Sequence, residues 1–285
     1  MDARAHATGR SLKATRRVPR DLSEPARKCY AARVRTLILA ILLLALPRAA
    51  RAASTEPSPA KSSPIQADSS QLVLVRTAAW WATFGTLQRY ERDHDAGWRP
   101  VGAVIPVNVG RSGLGWGRGL HTNVGPGPQK REGDGRSPAG VFRLSNAFGI
   151  AGELPPESAG FSYTRSLPTS YCVEDARSIY YNQLVDSSRV TASSWEQWSE
   201  MLRPDGLFDW GVVVQQNAPD IKKGAGSCVF LHIWRGPHRP TSGCTSMPKP
   251  ELENVLRWLA TTRAPVLAQL PESVFQSVRE AWALP

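Results

Sequence analysis

Short apolar stretches separated by turn-forming residues dominate the chain from Gln71 onward. Within many of them apolar and polar residues alternate, as they do in strands that bury one face. The spacing predicts β-strands over Leu72–Thr77, Thr83–Arg92, Trp98–Val107, Trp210–Gln215, Cys228–Trp234 and Val266–Leu270. The pattern therefore predicts a mainly β fold with a few short helices.

Two segments show the period of an α-helix instead. Pro248 and Pro250 open the first. Its apolar residues recur at helical spacing, at Leu252, Val255, Leu256 and Leu259. The second begins at Ser193 or Ser194, each of which fits a capping box. Its predicted apolar face consists of Trp195, Trp198 and Leu202.

The beginning of the chain differs in composition from the rest. A positively charged flank, an uninterrupted apolar run at Leu37–Leu46 and small residues at Ala50 and Ala52 predict a secretory signal. The run is shorter than the about 20 residues of a membrane span. A retained anchor and a buried helix are the alternatives. The signal predicts an exported, periplasmic protein without a stable membrane span after cleavage.

This composition suggests four regions. Residues 1–52 form an N-terminal extension with the signal peptide, and residues 53–70 are rich in Ser, Pro and Ala, which is typical of a flexible linker. We expect the folded, catalytic domain over residues 71–270, followed by a helical tail over 271–285.

The distribution of charge argues against a nucleic-acid-binding protein. The formal net charge is +11. Residues 1–52 hold 12 Lys and Arg against 3 Asp and Glu, whereas residues 53–285 hold 23 against 21. The folded part is therefore close to neutral and offers no strongly basic face.

Three cysteines remain after the predicted signal: Cys172, Cys228 and Cys244. An odd number in an oxidising compartment suggests one disulfide and one free thiol. Cys244 is the best free thiol, since it lies on a turn of small residues just ahead of the Pro248 helix. Cys172 and Cys228 are then the natural disulfide. Two buried reduced cysteines are the alternative, and a Cys228–Cys244 bridge would exclude Cys244 as a nucleophile.

The surroundings of Cys244 favour nucleophilic catalysis. His232 lies on a predicted strand twelve residues upstream, where it could take the thiol proton. Gly243 allows a substrate to approach the backbone closely, and amides of this turn could face a developing oxyanion. A zinc-stabilised exported domain is an alternative, because Cys228, His232, His238 and Cys244 supply four soft ligands within seventeen residues.

Several stretches of the sequence resemble the YkuD-type L,D-transpeptidase catalytic domain. The Glu132–Phe142 stretch is similar to the family's G-D-G-x-T-P-x-G-x-F turn and strand, and Phe230–Trp234 and Thr241–Met247 match the family's His strand and Cys loop. Tyr180–Asp186 is a further match. Ser242 and Ser246 stand where many members have His and Arg, so the sequence is closer to a branch with a small residue at the second position.

The resemblance implies a β-sandwich catalytic domain that acts on peptidoglycan stem peptides without a cofactor or metal. It implies that Cys244 attacks a stem-peptide carbonyl and that His232 is the general base. It further implies that the carbonyl of Ile233 orients the imidazole and that the amides of Gly243 and Cys244 form the oxyanion hole. An amine of another stem, or water, then resolves the thioester.

Other residues are weaker site predictions, and each has a structural alternative. The substrate-binding set is Trp234, Arg235, Ser242, Ser246, Tyr181 and Asn182. Among the acidic residues, Asp220, Glu174 and Asp175 could orient a cationic amine. The chain is expected to be a monomer. A non-catalytic peptidoglycan-binding module is a second interpretation of the same groove.

Overall fold

The computed structural model describes residues 63–93, 97–122, 125–190 and 195–285. The described part is mainly β, as predicted, and its two α-helices lie near the C-terminus. The strands are β1 (Gln71–Thr77), β2 (Phe84–Glu91), β3 (Arg99–Asn108), β4 (Leu114–Trp116), β5 (Ser137–Gly149), β6 (Tyr163–Arg165), β7 (Ser170–Val173), β8 (Leu184–Asp186), β9 (Trp198–Glu200), β10 (Trp210–Val214), β11 (Phe230–Ile233), β12 (Thr245–Met247) and β13 (Val266–Pro271). The helices are α1 (Lys249–Trp258) and α2 (Glu272–Val278).

Eight strands close into a barrel. Their order is β10-β11-β12-β3-β2-β1-β13-β5, and β5 pairs again with β10. The closure depends on the length of β5, which has 13 residues. Its segment Gly140–Arg143 pairs with β13, and its segment Leu144–Gly149 pairs with β10. The β-sandwich that we expected is therefore not found, because one long strand belongs to both sides of the sheet and joins them.

The barrel interior is the main hydrophobic core. Val229, just before β11, and the alternate β11 residues Leu231 and Ile233 belong to this core, as the alternation predicted. Helix α1 packs on the barrel next to β10 and β11 and buries Leu252, Val255 and Leu256. The helix predicted after Pro248 is thus confirmed, together with its buried face.

A second, smaller sheet covers part of the outer barrel wall. It has the order β8-β7-β9, and an apolar cluster joins it to the wall. That cluster contains Phe148, Cys172, Met201, Leu207, Phe208, Cys228 and Phe230. We call residues 166–208 the cover, with residues 191–194 left outside the description.

The helix predicted from Ser193 or Ser194 is wrong where it can be checked. Trp198–Glu200 forms β9, which pairs with β7 so that Cys172 faces Ser199. Trp195 is buried, whereas Trp198 is exposed, so the two do not share one buried face. Pairing with β7 satisfies the backbone here and overrides the helical spacing of the apolar residues.

The two ends of the predicted catalytic domain extend further than expected. Ile65 is buried in the core although it falls in the predicted linker. In the predicted tail, α2 packs against β1 and β13 and buries Phe275, and Trp282 is also buried. The predicted signal and most of the linker lie outside the described residues. Within the described ranges, no helix is both long and apolar enough to cross a bilayer.

Candidate active site

The register of two parallel strands brings Cys244 and His232 to one face of the barrel wall. Strand β11 pairs with β12 so that Leu231 faces Thr245 and His232 faces Ser246. One step back along this ladder, Cys244 lies beside Phe230, diagonal to His232. Because residues two apart on a strand share a face, the thiol and the imidazole both lie outside the barrel. Both line one cavity of about 350 Å³.

The His232 imidazole is held in its neutral form. Its Nδ1 lies 2.7 Å from the carbonyl oxygen of Ile233. A carbonyl only accepts hydrogen bonds, so Nδ1 carries the proton and Nε2 keeps a lone pair. Burial lowers the pKa of His232 to about 4, against which the Ile233 carbonyl acts. The imidazole is therefore uncharged at neutral pH and can accept a proton through Nε2.

Cys244 is a free, partly buried thiol. Its Sγ donates a hydrogen bond to the carbonyl oxygen of Cys228 at 3.6 Å. Burial raises the pKa of Cys244 to about 12, although the charges of Lys130 and Arg203 act in the opposite direction. The resting pair is therefore a thiol and a neutral imidazole, and the thiol must lose its proton to a base as it attacks.

Hydrogen bonds to the Cys244 carbonyl oxygen and to the Thr241 hydroxyl fix the loop that precedes Cys244. The Cys244 carbonyl oxygen accepts from Thr241 Oγ1 at 2.6 Å and from Ser137 Oγ at 2.8 Å. Gly243 N–H donates to Thr241 Oγ1 at 3.1 Å. The Gly243 amide, which we expected in the oxyanion hole, is therefore already engaged within the loop.

Gly243 is a position where a side chain would be costly. Its φ is +152°, a value that L residues rarely adopt. A Cβ atom on this residue would also lie 3.0 Å from the carbonyl oxygen of Arg136. Glycine at this position therefore allows the loop to pass closely over the Arg136 backbone just before Cys244.

A disulfide ties the cover to the site. Cys172 on β7 is bonded to Cys228, which precedes the strand that carries His232. This is the pairing suggested by the sequence, and it leaves Cys244 free. The ring of Phe208, from the end of the cover, packs edge-on against the His232 imidazole with centroids 5.2 Å apart. The cover thus walls the cavity from the side opposite the barrel.

The cavity carries charges of both signs. Two carboxylates line it, and each accepts hydrogen bonds from hydroxyl groups. Glu132 accepts from Tyr181 and from Ser227 Oγ, the latter at 2.7 Å. Glu174 accepts from Ser199 Oγ at 2.5 Å, and burial raises its pKa. The cations that line the cavity are Arg111, Lys130, Arg203, Arg235 and Arg239. Such a cavity suits a ligand that carries both ammonium and carboxylate groups.

Three of the weaker substrate-binding predictions line the cavity, namely Arg235, Ser242 and Ser246. The Ser246 side chain is buried beside His232, and its Oγ has no hydrogen-bond partner within the described ranges. Arg235 is exposed at the rim, 3.6 Å from Asp205. Ser242 is exposed. These positions leave a buried hydroxyl next to the His232 imidazole and a cation at the entrance.

The other three weaker predictions do not line the cavity. Trp234 donates its backbone N–H to Met247, which extends the ladder. Tyr181 is buried behind the cavity wall and donates to Glu132. Asn182 accepts from the Cys228 N–H at 3.0 Å and thereby braces the disulfide. Tyr181 and Asn182 therefore support the site from behind.

The three acidic residues considered for amine binding divide in the same way. Glu174 lines the cavity. Asp175 is buried and bonded to Arg177, which lowers its pKa. Asp220 lines a different cavity. Only Glu174 of the three can therefore meet a ligand bound at Cys244.

The zinc alternative is wrong for the ligand set that we considered. Cys228 is oxidised in the disulfide and supplies no thiolate. His238 is exposed and packs edge-on against the ring of Phe84, away from the cavity. Across the described ranges no group of three or more His, Cys, Asp and Glu residues is arranged to hold a metal ion.

Sequence reasoning missed several cavity residues, among them Lys130, Glu132 and Arg203. Glu132 opens the stretch that matches the family's turn motif, and Lys130 lies two residues before it. That proximity is the one signal that could have identified them. Arg203 directly follows Leu202, the last residue of the apolar face for which spacing predicted a helix. Comparison of the chain with models of known protein families and with curated proteins finds no match.

Proposed function

We propose that the chain is an exported cysteine-dependent acyltransferase that acts on peptidoglycan stem peptides, with the L,D-transpeptidase activity of YkuD-type catalytic domains. One observation carries the proposal. A free thiol on the residue just before β12 and a neutral imidazole on the neighbouring parallel strand β11 lie diagonally to each other and line one cavity. Nucleophilic catalysis by cysteine requires this combination of groups.

The first half-reaction forms a thioester. Cys244 Sγ attacks the carbonyl carbon of the donor stem while its proton passes to His232 Nε2, and the carbonyl electron pair moves onto oxygen. The tetrahedral intermediate then collapses, and the C–N bond breaks. The departing amine takes the proton from His232.

The second half-reaction releases the acyl group. An amine of another stem attacks the thioester carbon and gives a proton to His232, and Cys244 leaves as the thiol after receiving that proton. With water in place of the amine, the same steps give L,D-carboxypeptidase activity. The carboxylates and guanidinium groups of the cavity support a zwitterionic substrate. A stem peptide whose diamino acid carries a free ammonium and a free carboxylate group is such a substrate.

The test compares purified variants on isolated sacculi. After digestion, mass spectrometry identifies new cross-links and shortened stems. Cys244→Ala should abolish both products, and His232→Ala should slow them by roughly 10²–10⁴-fold. His238→Ala is the matched control, because this exposed histidine packs against Phe84 and should leave turnover unchanged.

The outcome also separates this proposal from a binding module. Sacculus binding that Cys244→Ala leaves unchanged, with no new muropeptide from the unmodified protein, would exclude the enzyme and favour the non-catalytic interpretation. A covalent adduct with a carbapenem on Cys244, seen by intact-protein mass spectrometry, would support an acyl-accepting thiol independently of the natural substrate.

A further inference from the structure

A buried lysine forms part of the cavity wall and has no role in the mechanism above. The Lys130 side chain is only 5% exposed. Its Nζ donates to Asp134 Oδ1 at 2.6 Å and to the carbonyl oxygen of Arg131 at 2.7 Å. Burying an ammonium group is costly even when it is paired, so its position at the cavity calls for an explanation.

The carboxylate partner of Lys130 is itself held rigidly. Asp134 accepts backbone N–H groups from Arg131 at 2.7 Å and from Arg136 at 2.9 Å. The turn therefore fixes the carboxylate, and the carboxylate fixes the ammonium. A preorganised charge of this kind loses little free energy to reorganisation when a ligand charge develops beside it.

One donor of the ammonium group is left for the cavity. An ammonium has three N–H groups, and Asp134 and the Arg131 carbonyl account for two of them. Nζ lies 4.0 Å from the point that a Cβ atom would take on Gly243, the residue before the nucleophile. Because Gly243 has no side chain, no Cβ atom fills this space next to the ammonium group.

The loop itself lacks one of the donors that we had expected. Gly243 N–H already donates to Thr241 Oγ1. A carbonyl oxygen that gains negative charge above Cys244 therefore needs another donor in place of the Gly243 amide. Lys130 lies on the Gly243 side of the loop and lines the same cavity.

We propose that Lys130 is a catalytic residue whose ammonium group binds the oxyanion of the tetrahedral intermediate. The inference rests on the proposed function. As the sulfur–carbon bond forms and the thiol proton passes to His232, the carbonyl electron pair moves onto oxygen, and Lys130 donates a hydrogen bond to it. When the C–N bond breaks, the pair returns to the carbonyl and that hydrogen bond weakens. Lys130 keeps its proton throughout.

The experiment separates acylation from simple alkylation of Cys244. A carbapenem forms an oxyanion on attack by the thiol, whereas iodoacetamide alkylates the sulfur without one. Lys130→Met should slow acylation by roughly 10²–10³-fold, the loss seen when an oxyanion donor is removed. Alkylation should change by less than about threefold, and Lys130→Arg should retain part of the acylation rate. Lys222→Met, at an exposed position outside this cavity, is the matched control.

Each other outcome overturns the inference. Equal losses in acylation and alkylation would mean that Lys130 acts on the thiolate or on the loop. Unchanged acylation would mean that the ammonium does not meet the oxyanion. A rise in KM for a stem peptide at unchanged kcat would assign Lys130 to ground-state binding.

Two further points keep the result interpretable. If Lys130→Met does not fold, the double variant Lys130→Met with Asp134→Asn removes both charges of the pair and is measured instead. If unmodified protein forms no acyl-enzyme at all, the proposed function fails. If unmodified protein forms the acyl-enzyme and the Lys130 variants form it at the same rate, only the role of Lys130 as an oxyanion donor fails.

Discussion

The disulfide between Cys172 and Cys228 should contribute strongly to stability and hold the cover over the site. The bond joins residues separated by 56 positions, so it closes a long loop. The chain-entropy relation for a loop of this length gives about 4 kcal/mol at 25 °C. The double variant Cys172→Ala with Cys228→Ala should therefore unfold at a markedly lower denaturant concentration than the unmodified protein.

The loss should be greatest in the cover. Cys172 belongs to β7, and the cover contributes Glu174 and Arg203 to the cavity wall. Without the bond, the apolar cluster around Phe208 and hydrogen bonds such as those of Tyr181 and Asn182 still hold this segment to the barrel wall. Hydrogen exchange should therefore rise in residues 166–190 and 195–208 and stay low in the barrel strands.

Equilibrium unfolding in guanidinium chloride and hydrogen exchange with mass spectrometry measure these two effects. Cys244→Ala is the matched control, since it removes a cysteine that is not bridged. A loss of less than 1 kcal/mol in the double variant, or faster exchange spread evenly over barrel and cover, would refute the reasoning. The small loss would show that other contacts already restrict the segment between Cys172 and Cys228 in the unfolded chain. The evenly spread exchange would show that the cover does not unfold separately from the barrel.

Three further predictions concern stability. Burial lowers the pKa of His121 and His232 to about 4, so the unfolded chain binds more protons between pH 6.5 and 4. Each histidine should therefore reduce the stability of the protein by roughly 3 kcal/mol as the pH falls through this window, as urea unfolding at several pH values will show. Gly140→Ala should destabilise the barrel by more than about 2 kcal/mol, because its Cβ would collide with the His121 ring, whereas Gly152→Ala, with open space around it, should cost under about 1 kcal/mol in the same assay. Gln269→Leu should cost about 1–3 kcal/mol by thermal unfolding, since it leaves a buried threonine hydroxyl and a strand carbonyl without their partner, and a neutral result would contradict this.

The strands that alternate clearly were predictable, and the barrel was not. The ends of β1, β2 and β3 agree with the predicted strands to within one residue, because turn-forming residues bound the apolar stretches there. Closure depends on β5 pairing with different strands along its two halves. Periodicity reports which face is buried but contains no information on how many partners a strand has, so it could not distinguish a sandwich from a barrel.

The chemistry of the site was predictable only where it is local in sequence. Cys244 and His232 are twelve residues apart on a loop and a strand, and their positions could be inferred from the turn residues and the alternation. Lys130 and Glu132 are more than one hundred residues away from the nucleophile. The turn that carries them leads into β5, whose first residue, Ser137, donates a hydrogen bond from its Oγ to the Cys244 carbonyl oxygen. This contact brings the turn next to the cavity. A contact between segments so far apart in the sequence depends on tertiary packing, which the spacing of apolar and polar residues does not reveal.

The cavity has a floor and a roof of different origin. The floor, with its sulfur and imidazole, is fixed by the backbone ladder between β11 and β12. The roof comes from the segment between β6 and β10, which contributes no strand to the closed barrel. Exchanging the roof for another segment of similar length therefore offers a way to change which ligands fit without altering the distance between the reacting groups.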